Sequence, residues 1–340
     1  MKKIAVAESI GMVLSHDLTR IVPGEFKGPA FKRGHVISAE DIPILLSMGK
    51  EHIYVWEPPE GHIHENEAAE RIARAITGAD IVYSDPHEGK IAFKANSRGL
   101  LRINKSGVNH INSIWNMCLS TLHDNQPVEK GKTVAATRVI PLTIHASALS
   151  EVDEVAEKYG WIIKISDYKP FDIGVIITGN EVYYKRIEDA FGSTLKNKLD
   201  FFGYSIKEQT YLPDDTEKIT QTVLDMHKRG RNLILVAGGM SVDPDDNTSG
   251  AIKDTGAKVI TYGSPVLPGA MFMLAELEGT VIMGLPACVI FSKATIFDII
   301  LPRVLAGEKV SREDVTSLGV GGLCQVCEEC RYPVCGFGKN

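Results

Sequence analysis

Between Leu233 and Asp246 the chain reads Leu-Ile-Leu-Val-Ala-Gly-Gly-Met-Ser-Val-Asp-Pro-Asp-Asp, and this stretch restricts the fold more than any other. An apolar run too short for a helix and closed by two glycines is the pattern of a strand buried on both faces of a parallel sheet. Beyond Ala237 the chain reads as loop. Gly238 and Gly239 permit a sharp turn and leave backbone N–H groups uncovered, and Ser241, Asp243, Asp245 and Asp246 come close behind. N–H groups suit an anion and carboxylates suit a cation, so the loop fits a phosphate carried with a divalent metal. A tight turn with a solvated acidic tip is the plain alternative.

The surrounding chain has the alternation that such a strand requires. From Phe171 to Gly307, strands and helices succeed one another, which is the signature of a parallel α/β sheet. The pattern predicts strands at Ile173 to Ile177, near Ser205 to Tyr211, at Lys258 to Tyr262, and at Met271 to Leu277 and Thr280 to Met283. It predicts helices at about Ala190 to Phe202 and near Thr216 to His227, a short helix after the acidic loop, and a closing helix over Val289 to Leu305. In open α/β sheets ligands collect outside the carboxyl ends of the strands. Three strand ends carry polar or Gly/Pro loops, Thr178-Gly179-Asn180-Glu181, Ala237-Gly238-Gly239-Met240-Ser241 and Gly284-Leu285-Pro286, and one site built from all three is expected. Glu181 and Asp246 would then share a rim.

The other segments are different in kind. Residues 1–57 read as a small β-rich domain punctuated by Pro23-Gly24 and Arg33-Gly34, with Ser38 and Asp41 capping a helix through Met48 and Glu57-Pro-Pro-Glu-Gly61 as linker. Residues 62–170 read as an α+β middle domain, with helices over Asn66 to Thr77 and Glu151 to Tyr159. His62 and His64 are expected at the surface. Between Gly89 and His123 there is no acid, while Lys90, Lys94, Arg98, Arg102 and Lys105 are basic, which makes this segment either a solvated hairpin or a docking face for an anion. Arg138, set among apolar neighbours, calls for an anionic partner.

A net charge of -6 argues against nucleic acid as a partner. The start, with Glu8 ahead of any apolar run, does not read as a signal peptide, and no segment approaches the length of a membrane span. A cytoplasmic protein is expected.

Of six cysteines, Cys324, Cys327, Cys330 and Cys335 fall within residues 309–340, a Cys-rich tail. Such a cluster points to metal or redox chemistry. The spacing approximates a bacterial ferredoxin run, but four residues precede the last cysteine and no proline directly follows it. Four thiolates suit Zn2+ or an iron–sulfur cluster, and with little apolar sequence nearby a metal is expected to order the tail. Cys288 reads as a buried core thiol.

Taken together, the loops after the strands and Ser264-Pro-Val-Leu-Pro-Gly269 resemble the molybdopterin-binding domain shared by molybdopterin adenylyltransferases and molybdopterin molybdenumtransferases, over residues 171–308. The stretch from Ile10 to Trp56 is similar to the small β-rich domain that precedes the pterin-binding domain in the molybdenumtransferases. The resemblance implies a three-layer, mostly parallel sheet with helices on both faces. It also implies a function in cofactor maturation, in which adenylated molybdopterin and magnesium (Mg2+) are bound and molybdate replaces AMP. It assigns Glu181 and Asp246 to the metal and the diphosphate. Thr178, Gly179, Asn180, Asp189, Gly238, Gly239, Met240, Ser241, Pro268, Gly269, Gly284 and Pro286 are assigned to the pterin compound. A homodimer is implied as well.

The departures from the pattern are specific. Ala270 and Met271 stand where the family has a lysine and a proline after its glycine, and Leu267 replaces the preceding lysine. Ala287, Cys288 and Val289 replace Gly-Asn-Pro, Phe191 replaces an asparagine, and Asn180 an aspartate. There is no Ser-Ala-Met-Asp-Gly-Tyr-Ala motif. Three functions are therefore expected in order. The first is a molybdenumtransferase-like enzyme. The second is a carrier that delivers finished cofactor to a molybdoenzyme, using the Cys tail for contact. The third is a nucleotide-diphosphate hydrolase similar to competence-damage-inducible proteins, which carry a similar Thr-Gly-Asn-Glu.

Overall fold

A computed structural model describes residues 2–22, 26–56, 59–244 and 246–339. Pro23-Gly24, the Glu57-Pro58 part of the linker and Asp245 of the acidic loop lie outside the described residues. The chain divides into two compact units, Met1–Asp124 with Val128–Ile165, and Asn125–Pro127 with Ser166–Asn340.

In the first unit Lys2–Ala5 pairs antiparallel with His52–Val55, and Leu18–Val22 with Phe26–Phe31. Val6, Leu14, Ile37 and Leu45 fill the core between these strands. Ser38 donates its backbone N–H and its hydroxyl to the Asp41 carboxylate, both at 2.8 Å, which starts the short helix Asp41–Ser47. Further along, Ile81–Tyr83, Lys90–Ala95, Thr133–Val139 and Met117–Thr121 form an antiparallel sheet in that order. The helices Glu65–Ile76 and Ala146–Tyr159 bury Ile72, Ile76, Leu149 and Val152 in a shared core with Phe93.

Both helices are capped by histidine. The His64 ring accepts from the Asn66 N–H at 3.1 Å and the His145 ring from the Ser147 N–H at 3.2 Å. The second cap is why the helix starts at Ala146, ahead of the expected Glu151: a side-chain acceptor sits where the usual Ser, Thr, Asp or Asn signal is missing. His64 is buried, contrary to the surface position expected for it. Since its Nδ1 accepts, its Nε2 is the protonated nitrogen and donates to the Ser15 carbonyl at 2.9 Å. Burial holds this imidazole's pKa below its ordinary value.

The second unit is a six-stranded sheet. Its strands are β1 (Ile173–Thr178), β2 (Ile206–Leu212), β3 (Leu233–Ala237), β4 (Lys258–Tyr262), β5 (Met273–Leu277) and β6 (Thr280–Leu285), ordered β2-β1-β3-β6-β5-β4. The β2, β1, β3 and β6 strands are mutually parallel, and only β5 runs against its neighbours. The alternation within each strand separates two apolar layers. Val175, Ile177 and Leu235 face one core with Leu195 and Leu199 of helix α2 (Phe191–Phe201, after the short α1, Asn180–Tyr183) and with Phe297 and Ile300. Ile176, Ile234 and Val236 face the other, with Ile219 and Val223 of α3 (Thr216–Lys228) and Ile252 of α4 (Thr248–Asp254). This is the three-layer architecture with helices on both faces.

The closing helix departs from expectation. It is two helices, α5 (Cys288–Phe291) and α6 (Ile296–Leu305), because Ser292 turns extended and Thr295 starts a new helix. The Thr295 N–H and hydroxyl both donate to the Asp298 carboxylate, at 2.7 and 3.0 Å, a capping box embedded in what reads as one apolar run. After α6 comes the short α7 (Arg312–Thr316). Among the described residues no helix is long and apolar enough to cross a membrane.

Candidate functional site

Because β1, β3 and β6 are adjacent and parallel, their carboxyl ends bring the three loops side by side on one rim, where β2 also ends. The joins are short and mostly backbone. Thr178 is buried, and its hydroxyl donates to the Ala237 carbonyl at 3.3 Å and lies 3.1 Å from the Thr248 hydroxyl. The Gly238 N–H donates to the Leu285 carbonyl at 3.2 Å, and the Thr248 N–H to the Gly239 carbonyl at 3.1 Å. So the loop after β3 is fastened to the loops after β1 and β6.

Glycine is required at position 238. Its φ is +100°, and a Cβ there would stand 2.4 Å from the Thr178 carbonyl oxygen. At Gly284 a Cβ would come within 2.7 Å of the Met240 thioether, which a bulkier residue would push aside. Met240 is buried with its side chain turned inward, and its carbonyl accepts from the Tyr262 hydroxyl at 3.0 Å. Thr178, Met240 and Gly284 thus shape the rim from beneath. The Gly238 N–H, expected to be open to an anion, is occupied by Leu285.

The polar residues divide in the same way. Glu181 is exposed, with its carboxylate folded back over Gly179, where a Cβ would come within 2.8 Å of it. Asp246 is half-buried and ties its own turn: its N–H donates to the Asp243 carbonyl at 2.9 Å, and its carboxylate accepts from the Asp243 N–H at 3.3 Å. Ser241 is exposed beside it, and Pro286 is half-buried on the neighbouring loop. Asp189 is engaged at the start of α2, accepting from the N–H groups of Phe191 at 2.7 Å and Gly192 at 3.0 Å and from the Tyr211 hydroxyl at 3.0 Å. A carboxylate therefore already occupies the anion-favouring end of that helix. Phe191 points into the core instead of presenting an amide.

Sequence reasoning missed Asp214. Its carboxylate accepts from the Asn180 N–H at 2.9 Å, its N–H donates to the Asn180 side-chain carbonyl at 3.4 Å, and its carbonyl accepts from the Asn247 amide at 3.0 Å. It links the loop after β2 to both the Glu181 loop and the Asp246 loop. The available signal was Pro213-Asp214-Asp215 directly after a strand, on the same rim as the others.

Gly269 is buried against Ile296, and Pro268 follows a cis peptide bond in the loop between β4 and β5. This loop carries the tail. The Leu267 N–H donates to the Gly322 carbonyl and the Cys324 N–H to the Leu267 carbonyl, both at 2.8 Å. Contrary to expectation, apolar packing orders part of the tail: Phe337 is buried in the domain core, and Tyr332, Cys324 and Cys335 pack against it. Cys327 and Cys330 are exposed. Among the described residues, no group of three or more His, Cys, Asp or Glu side chains is placed to hold a single metal ion.

In the first unit the basic segment is largely paired. Arg98 meets Glu129 at 2.9 Å, Arg102 meets Asp124 at 3.2 Å and Lys90 meets Glu88 at 3.5 Å. Arg138 is exposed, and the charge it acts on is the buried Glu65.

A mostly parallel three-layer α/β unit with polar loops gathered at its strand ends defines a domain of the doubly wound class, in which ligands bind at that end of the sheet. Residues 174–306 match the family model described as a probable molybdopterin binding domain. Residues 3–57 match a domain of unknown function, DUF8806.

The chain is 28% identical over 75 residues to the protein PAE0875 of Pyrobaculum aerophilum and, at the same identity, to a protein of Pyrobaculum arsenaticum, covering 22% of this chain and 28% of each relative. The match therefore spans little more than a quarter of those relatives. Among solved structures, it is similar to the tungsten cofactor synthesizing protein MoaB of Pyrococcus furiosus, at 20% identity, with a TM-score of 0.35, over 43% of this chain and 99% of that one. It is also similar to the molybdopterin biosynthesis enzyme MoaB of Thermus thermophilus, at 17% identity, with a TM-score of 0.33, over 41% and 98%.

Proposed function

We propose that the rim formed by the loops after β1, β3 and β6 binds molybdopterin or its adenylate, and that the protein acts in molybdenum-cofactor maturation by exchanging molybdate for AMP. The observation that supports this most is that the family match over residues 174–306 takes in every loop of the rim. Glu181 and Asp246 would hold Mg²⁺. Two carboxylates are only part of a hard cation's oxygen shell, so they fit an ion completed by phosphate oxygens and water, as suits a metal that arrives with a diphosphate. Bound there, the ion would offset negative charge on the phosphates. Asn180, positioned by Asp214, and the exposed Ser241 would donate to phosphate oxygens.

A second reading is a cofactor carrier without transfer chemistry. Leu267, Ala270 and Cys288 favour it, since they stand in place of two lysines and an amide that could meet molybdate or phosphate. AMP release from adenylated molybdopterin and Mg²⁺, measured with and without molybdate, separates the two readings. Release that depends on molybdate and falls at least about 100-fold in Asp246→Ala, an effect on the scale of removing one transition-state contact, supports the transferase. Tight binding without release makes the protein a carrier. Turnover of free nucleotide without pterin would replace both with a hydrolase.

A further inference from the structure

The four tail cysteines open onto the same space. Cys324, Cys327, Cys330 and Cys335 all line one cavity of about 350 Å³, together with Pro268, Lys293, Arg331 and Tyr332. Its walls are anchored to the domain. Cys324 is held by the Leu267 carbonyl, the Tyr332 hydroxyl donates to the Asp298 carbonyl at 2.7 Å, and the Gly338 N–H donates to the Gly321 carbonyl at 2.9 Å.

Two kinds of thiolate centre fit four cysteines, and they require different space. A single Zn²⁺ sits about 2.3 Å from each sulfur, which draws the four sulfurs to roughly 3.8 Å from one another and leaves no void between them. Here all four cysteines border one open volume. A cube of iron and sulfide is several ångströms across and needs its thiolates spread around a space of this kind. Its core and thiolates together are anionic, and Lys293 and Arg331 on the same wall supply countercharge.

We propose that Cys324, Cys327, Cys330 and Cys335 hold a [4Fe–4S] cluster in this cavity, beside the Leu267–Gly269 loop. This inference is independent of what the rim binds.

The test is anaerobic reconstitution of the full chain with ferrous iron and sulfide, and in parallel with Zn²⁺ alone, followed by metal and acid-labile sulfide analysis and electron paramagnetic resonance after reduction. The expected result is about four iron and four sulfide per chain with a reduced-cluster resonance. Both are lost in a Cys327→Ser/Cys330→Ser variant and retained in Cys118→Ser. Because Cys327 and Cys330 are exposed, the double variant should keep its circular dichroism and elution volume. One tightly bound zinc per chain without labile sulfide overturns the proposal. So does a two-iron centre, or iron that is retained in the double variant.

Discussion

Glu65 shows what one buried carboxyl does to a fold. It lies buried at the start of its helix, and burial pushes its pKa up to about 7, an effect that Arg138 and Arg33 oppose and Glu88 and Asp17 reinforce. A carboxyl whose folded pKa is raised from 4.5 favours the folded state while protonated. That contribution is complete below pH 4.5 and is lost as pH rises through about 7. Glu65→Gln is therefore expected to raise stability on the order of 1–3 kcal/mol at pH 8 and to change little at pH 4.5, read from melting curves at the two pH values. Gly238 makes the opposite point, because its constraint is steric. Gly238→Ala combines a left-handed backbone with a clash against the Thr178 carbonyl, and should destabilise by about 2–4 kcal/mol in denaturant titration.

The elements around the rim are held by side chains that do not contact one another in sequence. Asp214 connects two loops through Asn180 and Asn247. Asp214→Ala leaves the Asn180 N–H without its acceptor, at a cost of about 1–2 kcal/mol, and should loosen binding at Glu181, whereas Asp214→Asn keeps an acceptor and should restore much of both. Equal loss in the two variants would contradict this positioning role. At the other end of the unit, Arg303 of α6 is buried and reaches Glu308 at 2.9 Å and Asp314 of α7 at 2.7 Å. Burial alone would raise the Asp314 pKa, but the Arg303 guanidinium and the Ser311 hydroxyl and N–H hold it down to about 2. A depressed carboxylate stabilises the fold above its ordinary value of 3.8, and the contribution is lost as pH falls through about 2. Asp314→Asn should lower the melting temperature at pH 7 and leave it nearly unchanged at pH 2.

Across the whole chain, what the sequence revealed and what it concealed have separate causes. Buried strands with Gly or Pro at their carboxyl ends are local signals, so β1, β3 and β6 and the gathering of their loops on one rim could be read directly. The break between α5 and α6 could not, because Thr295 and Asp298 form a capping box inside a run of apolar residues. The burial of His64 and the pairing of Arg98 and Arg102 depend on partners distant in sequence. Phe337 looked isolated in a polar tail, yet the fold returns it to the core. At the rim, residue type pointed to these positions but not to the way they face: Thr178, Met240 and Asp189 are turned to the protein, and Glu181 and Ser241 to the solvent.

The central claim is that this rim binds molybdopterin, and a fluorescence titration of the purified full chain with molybdopterin and Mg²⁺ tests it most directly. The predicted result is saturable binding at one site per chain, weakened about 10-fold or more by Glu181→Gln with Asp246→Asn, a loss of about 1.4 kcal/mol. Cys327→Ser/Cys330→Ser should leave that affinity unchanged. No saturable binding, or binding that the rim variants do not weaken, would contradict the claim.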